Sequence, residues 1–128
     1  MIAITGASDG LGRQLAKIYK EAGKRVVNLS RRESQFADEN IVTDLTDENS
    51  VSKAIERILA MPEPLDILVN CAGVISLEPL AKITPHEIDR TFGVNVKGAV
   101  LLVSGLVGRI RQDRSDIVNV ASTVGLKA

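Results

Sequence analysis

The chain has 128 residues and its sixteen basic and sixteen acidic residues cancel; with the basic ones spread along its length, nucleic acid and an anionic membrane are not its expected partners. One domain is expected, able to bury about two thirds of its unfolded surface. The lone Cys71 excludes an internal disulfide, the single histidine leaves no zinc constellation, and a reducing cytosol fits; no charged leader precedes Ile2 and no apolar run is expected to span a bilayer.

The apolar segment Ile2-Ala3-Ile4 predicts a first strand running into Thr5-Gly6-Ala7-Ser8-Asp9-Gly10-Leu11-Gly12. Three glycines within seven residues let the chain reverse, let backbone approach a ligand, and let the next helix pack tightly on the strand. The unpaired amides and dipole at that helix start suit a phosphate. A tight turn with no ligand is the alternative. Leu11, Leu15, Ile18, Tyr19 and Ala22 follow at helical spacing, and Gly23 ends the helix. Arg13, near the positive end of this helix, reads as a solvated surface residue.

Val26-Val27-Asn28-Leu29 predicts a second strand, followed by Ser30-Arg31-Arg32. Glu33 to Asn40 is patternless, and Ile41-Val42-Thr43 predicts a short third strand closed by Asp44-Leu45. Thr46 is the expected N-cap of a helix with Val51, Ala54, Ile55, Ile58 and Leu59 on its buried face, stopped by Pro62 and Pro64. Leu65 to Val69 is nearly continuous in apolar residues, as in a strand covered on both faces, and Asn70-Cys71-Ala72-Gly73 follows it.

Thr84-Pro85-His86-Glu87 is a capping box with proline at the first helical position. The helix it opens is expected to reach about Arg111. One apolar face comprises Ile88, Phe92, Ala99, Val103, Leu106 and Ile110; Val94, Val100, Leu101 and Val107 form a second, so burial on more than one side is expected. Asn95-Val96-Lys97-Gly98 lies inside it, and Ile117 to Ala121 predicts a fifth strand leading to Ser122-Thr123-Val124-Gly125.

Taken together, T-G-x-x-x-G-x-G, N-x-A-G, N-x-x-G and the serine after the fifth strand resemble the short-chain dehydrogenase/reductase family. That resemblance implies an α/β fold, a doubly wound and mostly parallel Rossmann-like sheet, with residues 1–128 as an NAD(P)-binding domain that ends after about the fifth strand. It implies hydride transfer between a nicotinamide and a small-molecule carbonyl or alcohol. By the same resemblance Gly6, Ser8, Asp9, Gly10, Leu11 and Gly12 hold the pyrophosphate. Asp44 bonds the adenine amino group while Leu45 packs on the ring, and Asn70, Ala72 and Gly73 line the adenosine side and brace the sheet. Cys71 stands where the family's second asparagine is found. Ser122 and Asn95 are the implied catalytic residues, Ser122 bonding the substrate oxygen and Asn95 distorting its helix through a water in a proton relay.

Members that bind NAD carry an acidic residue at the end of the second strand to accept bonds from the ribose hydroxyls. Here Ser30 is followed by Arg31 and Arg32, suited to an extra phosphate, so NADP rather than NAD is expected; a solvated arginine pair is the alternative. Asp9 stands in the glycine loop where many NADP-preferring members carry a basic residue. The helix after Thr84 lines the subunit contact in the family, which implies a homodimer or homotetramer.

The family's Y-x-x-x-K lies roughly a dozen residues beyond the serine, whereas this sequence stops six residues after Ser122 and its one tyrosine, Tyr19, has Gly23 four residues on. The 128 residues alone are therefore expected not to catalyse by that mechanism. With an interior-type fifth strand at an edge they are also expected to associate or fold loosely. A noncatalytic dinucleotide-binding or scaffold protein of the same fold is the competing expectation. A methyltransferase-like fold is disfavoured because it would not require Asn95 or Ser122.

Overall fold

Ile2, Ala3 and Ile4 are all buried, yet they belong to two different cores. Side chains alternate across a strand, so Ile2 and Ile4 face one side of the sheet and Ala3 the other. In the computed structural model, which describes residues 1–122, the strands are β1 Ile2–Thr5, β2 Val26–Ser30, β3 Glu39–Val42, β4 Ile67–Asn70 and β5 Asp116–Asn119. They form one sheet in the order β3-β2-β1-β4-β5, and every neighbouring pair is parallel. On the Ile2 and Ile4 side lie Val26 and Val69, covered by Ala16, Leu15 and Tyr19 of α1, Gly10–Glu21. On the Ala3 side Val27, Leu29 and Leu68 are covered by α2, Glu48–Leu59, and by α4, Gly98–Asp113. The result is the doubly wound arrangement that the sequence predicts, with helices on both faces of a parallel sheet.

The chain runs outward from β1 through β2 to β3, then returns to the other side of β1 for β4 and β5. That reversal opens a crevice beyond the carboxyl ends of β1 and β4, where Thr5 is level with Asn70; crevices of this kind are where open parallel sheets hold ligands.

Some local expectations shift. In α1, Leu11 and Ile18 are 55% and 59% exposed, and the fully buried positions are Gly12 and Ala16. A Cβ on Gly12 would run into the carbonyl of Gly6, so the helix lies too close to the strand for a leucine stripe to fit between them. Its end is as expected: Gly23 has φ +73°, with Gly23 and Lys24 amides donating to Lys20 and Tyr19 carbonyls. The N-cap of α2 is Asp47, whose side chain accepts from the Asn49 amide at 2.9 Å, because Thr46 is turned back onto Asp44. β3 starts two residues before Ile41, at Glu39.

The Thr84 capping box opens α3, Pro85–Phe92. A π-helical turn, Gly93–Lys97, joins α3 to α4, and all three make one continuous helix of 29 residues, Pro85–Asp113. By length and composition this helix could cross a membrane, which corrects the expectation that no such run exists. Its contacts are those of a helix covering a sheet: Gly98 is seated on Leu45, Gly105 on Ile55, and Leu102, Leu106 and Ile110 are in the core. The buried stripe differs from the expected one because the π turn inserts an extra residue and moves everything before it out of phase. Ile88 and Phe92 are accordingly 42% and 64% exposed. β5 lies at the sheet edge with all four residues exposed.

Candidate functional site

The carboxyl ends of β1, β2 and β4, the segment after β3 and the start of α1 surround a cavity of about 400 Å3. Its floor is the glycine bend. Gly6 has φ +75° and Gly10 φ +52°, values an L side chain rarely adopts. A Cβ on Gly6 would lie 2.9 Å from Cα of Ala72, whereas one on Gly10 would meet nothing within 4 Å. The bend is thus pressed against the β4 end at Gly6 and open to the cavity at Gly10. Thr5 locks the two strand ends together, its Oγ1 accepting from the amides of Cys71 at 2.9 Å and Ala72 at 3.0 Å. Burial pushes the half-buried Cys71 thiol up from its ordinary pKa, the direction opposite to that of an activated thiolate.

Asp9 caps α1, one carboxylate oxygen accepting from the Gly10 amide at 2.8 Å and the other from Arg32 Nη2 at 2.9 Å. The Gly10 amide first, and then Arg32, hold its carboxyl below the usual range. Arg13, which the sequence suggests is solvated, has its guanidinium 5.2 Å from the centre of the Phe36 ring, a cation–π contact. At the end of β2 the side chain of Ser30 is buried, and its Oγ has no hydrogen-bond partner among the described residues. Asp44 accepts from the Thr46 amide at 2.9 Å and the Thr46 hydroxyl at 2.7 Å; these bonds, and the charge of Arg31 more weakly, lower its pKa.

Gly6, Ser8, Asp9, Gly10, Leu11, Gly12, Arg31, Arg32, Asp44, Leu45, Ala72 and Gly73 all line this cavity. Asn70 does not. Its carboxamide nitrogen donates to Asn119 Oδ1 at 2.8 Å, so it ties β4 to β5. Leu45 lines the cavity while its Cβ and carbonyl press on Gly98. Asn95 lies in the π turn and is bonded at both ends of its carboxamide to the backbone of Val74. Ser122 follows β5 two residues beyond Val120, a lining residue, and Thr123, Val124 and Gly125 lie outside the described residues.

The sequence does not single out Leu29, Thr43, Val74, Val94 and Val120, which also line the cavity. Leu29, Thr43 and Val120 were within reach of the rule that ligands sit at strand ends. Val94 was not, because the π turn that presents it has no periodic signature. A second cavity of about 620 Å3 adjoins the first and shares Arg31, Asp44 and Val94 with it. No group of three or more His, Cys, Asp or Glu side chains able to hold a metal occurs among the described residues.

Comparison with known proteins agrees with this architecture. The family model for short chain dehydrogenase matches residues 1–128. The chain is 36% identical over 124 residues to 2,3-dihydro-2,3-dihydroxybenzoate dehydrogenase of Escherichia coli, covering 93% of this chain and 49% of that protein. To human L-xylulose reductase it is 35% identical over 138 aligned positions, covering 99% and 54%. It therefore spans about half the length of the curated relatives it matches. Among solved structures, a short-chain dehydrogenase from Leptospira borgpetersenii with bound NAD+ superposes with a TM-score of 0.90 at 25% identity, covering 98% of this chain and 52% of that one. One from Sphingobium yanoikuyae in complex with NADPH gives 0.85 at 26% identity, covering 98% and 54%. With the glycine bend, the strand order and the Asn95 turn all in place, the chain belongs to the short-chain dehydrogenase/reductase family.

Proposed function

We propose that this chain binds NADP in the cavity at the carboxyl edge of the sheet and forms the cofactor-binding part of an oxidoreductase acting on a small carbonyl or alcohol. The observation that carries it is the end of β2. A buried hydroxyl without a partner among the described residues, Ser30 Oγ, stands there beside two exposed guanidiniums, and the acidic residue that would accept ribose hydroxyls is absent from that strand end.

The residues fit such a cofactor. Gly10 leaves open space where a side chain would intrude, and the first amides of α1 offer donors to a pyrophosphate. Arg31 and Arg32 supply planar forks for an additional phosphate. When bound, the nicotinamide supplies or accepts the hydride. Ser122 is assigned to hydrogen-bond the substrate oxygen and Asn95 to support the proton relay. Since the Asn95 carboxamide is engaged with Val74, that support falls to its backbone in the widened turn.

Exposed Phe92, Val96, Val100 and Val107 along the long helix support assembly as a homodimer or homotetramer, which light scattering of the purified protein and of Phe92→Glu reads directly. A cytosolic location accords with this reading.

The test is titration of the purified protein with NADPH and NADH by fluorescence. Arg31→Asp is expected to weaken NADPH tenfold or more while sparing NADH. Unchanged NADPH affinity in that variant overturns the NADP assignment, and no response to either nucleotide overturns the function.

A further inference from the structure

The larger cavity, about 620 Å3, is a cleft between α3 with its π turn and the segment that follows β3. Its two walls are fastened to each other. Gly93 is seated against Thr46, where an added Cβ would lie 3.1 Å from Cγ2, and Lys97 of the π turn pairs with Glu48 in the first turn of α2. The cleft therefore holds its width.

Arg31, His86, Arg90 and Lys97 line it together with two carboxylates, Asp44 and Asp89. These charges are unequally committed. Lys97 answers Glu48, and Asp44 is bonded to the amide and hydroxyl of Thr46. Glu87, beside His86 in sequence, is not in the lining and is bonded to Ser76 and Thr84. Arg31 and Arg90, by contrast, make no ion pair within 4 Å among the described residues. Two guanidiniums with unfilled charge thus share one cleft with an imidazole, and Asp89 is the carboxylate that opposes them.

We propose that this cleft is a second anion site, one that takes the phosphate group of a small ligand. One guanidinium fork satisfies a carboxylate, whereas a phosphate has oxygens enough for two forks and a further donor. Neither His86 nor Arg90 lines the first cavity, so the site does not depend on what the first cavity binds. Arg31 and Val94 are common to both, and an occupant of the cleft abuts whatever fills the first. The cationic side chains are exposed, so binding is expected to be weak and to fall with salt.

The experiment titrates the purified protein with inorganic phosphate and with glycerol 3-phosphate at fixed ionic strength, following backbone amide shifts by NMR. It is repeated on Arg90→Ala, His86→Gln and Asp89→Asn, with a thermal melt of each to check the fold. The expected result is that shifts centre on Thr46, His86 and Arg90. Arg90→Ala should weaken binding roughly fivefold or more and His86→Gln should weaken it less, while Asp89→Asn should tighten it, because a repelling charge is gone. Tighter binding of glycerol 3-phosphate supports an organic phosphate as the ligand, and tighter binding of inorganic phosphate supports the free ion. Shifts confined to residues 6–12, affinity unchanged in Arg90→Ala, or no response to either probe overturns the site. The cofactor reading is decided separately, since NADPH and NADH affinities are expected to be the same in Arg90→Ala as in the parent.

Discussion

Asn95 and Val74 are joined through both ends of one carboxamide: Oδ1 accepts from the Val74 amide and Nδ2 donates to the Val74 carbonyl, each at 2.8 Å. A strand ladder would satisfy the same two backbone groups from a neighbouring strand; here a side chain from a helix does so, and the segment after β4 is held against the π turn. Asn95→Ala removes both bonds. Because the site is exposed water replaces part of what is lost, and the expected cost is about 1 kcal/mol. Amide exchange at Val74 should accelerate well beyond the rest of the protein. Asn95→Asp keeps an acceptor for the Val74 amide but brings an oxygen to the Val74 carbonyl, so partial protection is expected. Full protection at Val74 in the alanine variant would contradict the assignment.

Gly98 and Gly108 both lie in α4, and an alanine at each is expected to act in opposite directions. A Cβ on Gly98 would stand 2.6 Å from Leu45 Cβ and 2.8 Å from the Leu45 carbonyl oxygen; one on Gly108 would meet nothing within 4 Å. Alanine is the better helix former by about 1 kcal/mol, so Gly108→Ala is expected to stabilise by about 0.5–1 kcal/mol. At Gly98 the overlap involves backbone that cannot swing away, and overpacking costs about 1–3 kcal/mol. Urea unfolding midpoints of the two variants should therefore move apart, and equal shifts would refute the close seating of α4 on Leu45.

That pair also shows why parts of the fold were legible in the sequence and parts were not. Strands were readable because alternation and continuous apolar runs are local properties, and the glycine bend was readable because positive φ and close approach demand glycine. Leu102 was missed because its burial depends on the phase of the helix after the π turn, which no local period encodes. Leu11 looked buried by spacing, yet the contact of Gly12 with Gly6 turns it toward the cavity. The Asp9–Arg32 pair brings together residues 23 apart in sequence and depends on β1 and β2 lying side by side, a tertiary fact.

Asp113 gives a pH dependence with a definite sign. It accepts from the Leu65 amide at 2.8 Å and pairs with Arg109, whose guanidinium also donates to the carbonyls of Met61 and Glu63. The Leu65 amide first, and then Arg109, hold its pKa below the ordinary value. In the unfolded chain an aspartate titrates near about 3.9, so on acidification the unfolded state takes up the proton first. The stability contributed by Asp113 is fully present above that value and drains as pH falls through the lower folded-state pKa. Asp113→Asn should be less stable near neutrality and should show a shallower loss of stability below about pH 4 than the parent. Parallel stability curves for the two proteins across that range would exclude the role.

Thr5 offers a comparison in which shape and hydrogen bonding can be separated. Its hydroxyl is the shared acceptor for the Cys71 and Ala72 amides, and the residue is buried at 2% exposure. Thr5→Val preserves the branched shape and strand preference but leaves those amides without their acceptor, at about 1–3 kcal/mol for each buried unsatisfied group. Thr5→Ser keeps the oxygen and loses only a methyl group, about 0.8 kcal/mol of burial plus any cavity left behind. Stability is therefore expected to fall in the order parent, serine, valine. The same order is expected in nucleotide affinity, since the Gly6–Ala72 contact beside the cavity depends on these strand ends staying together. If valine proved as stable as the parent while serine did not, the methyl rather than the oxygen would be what Thr5 contributes.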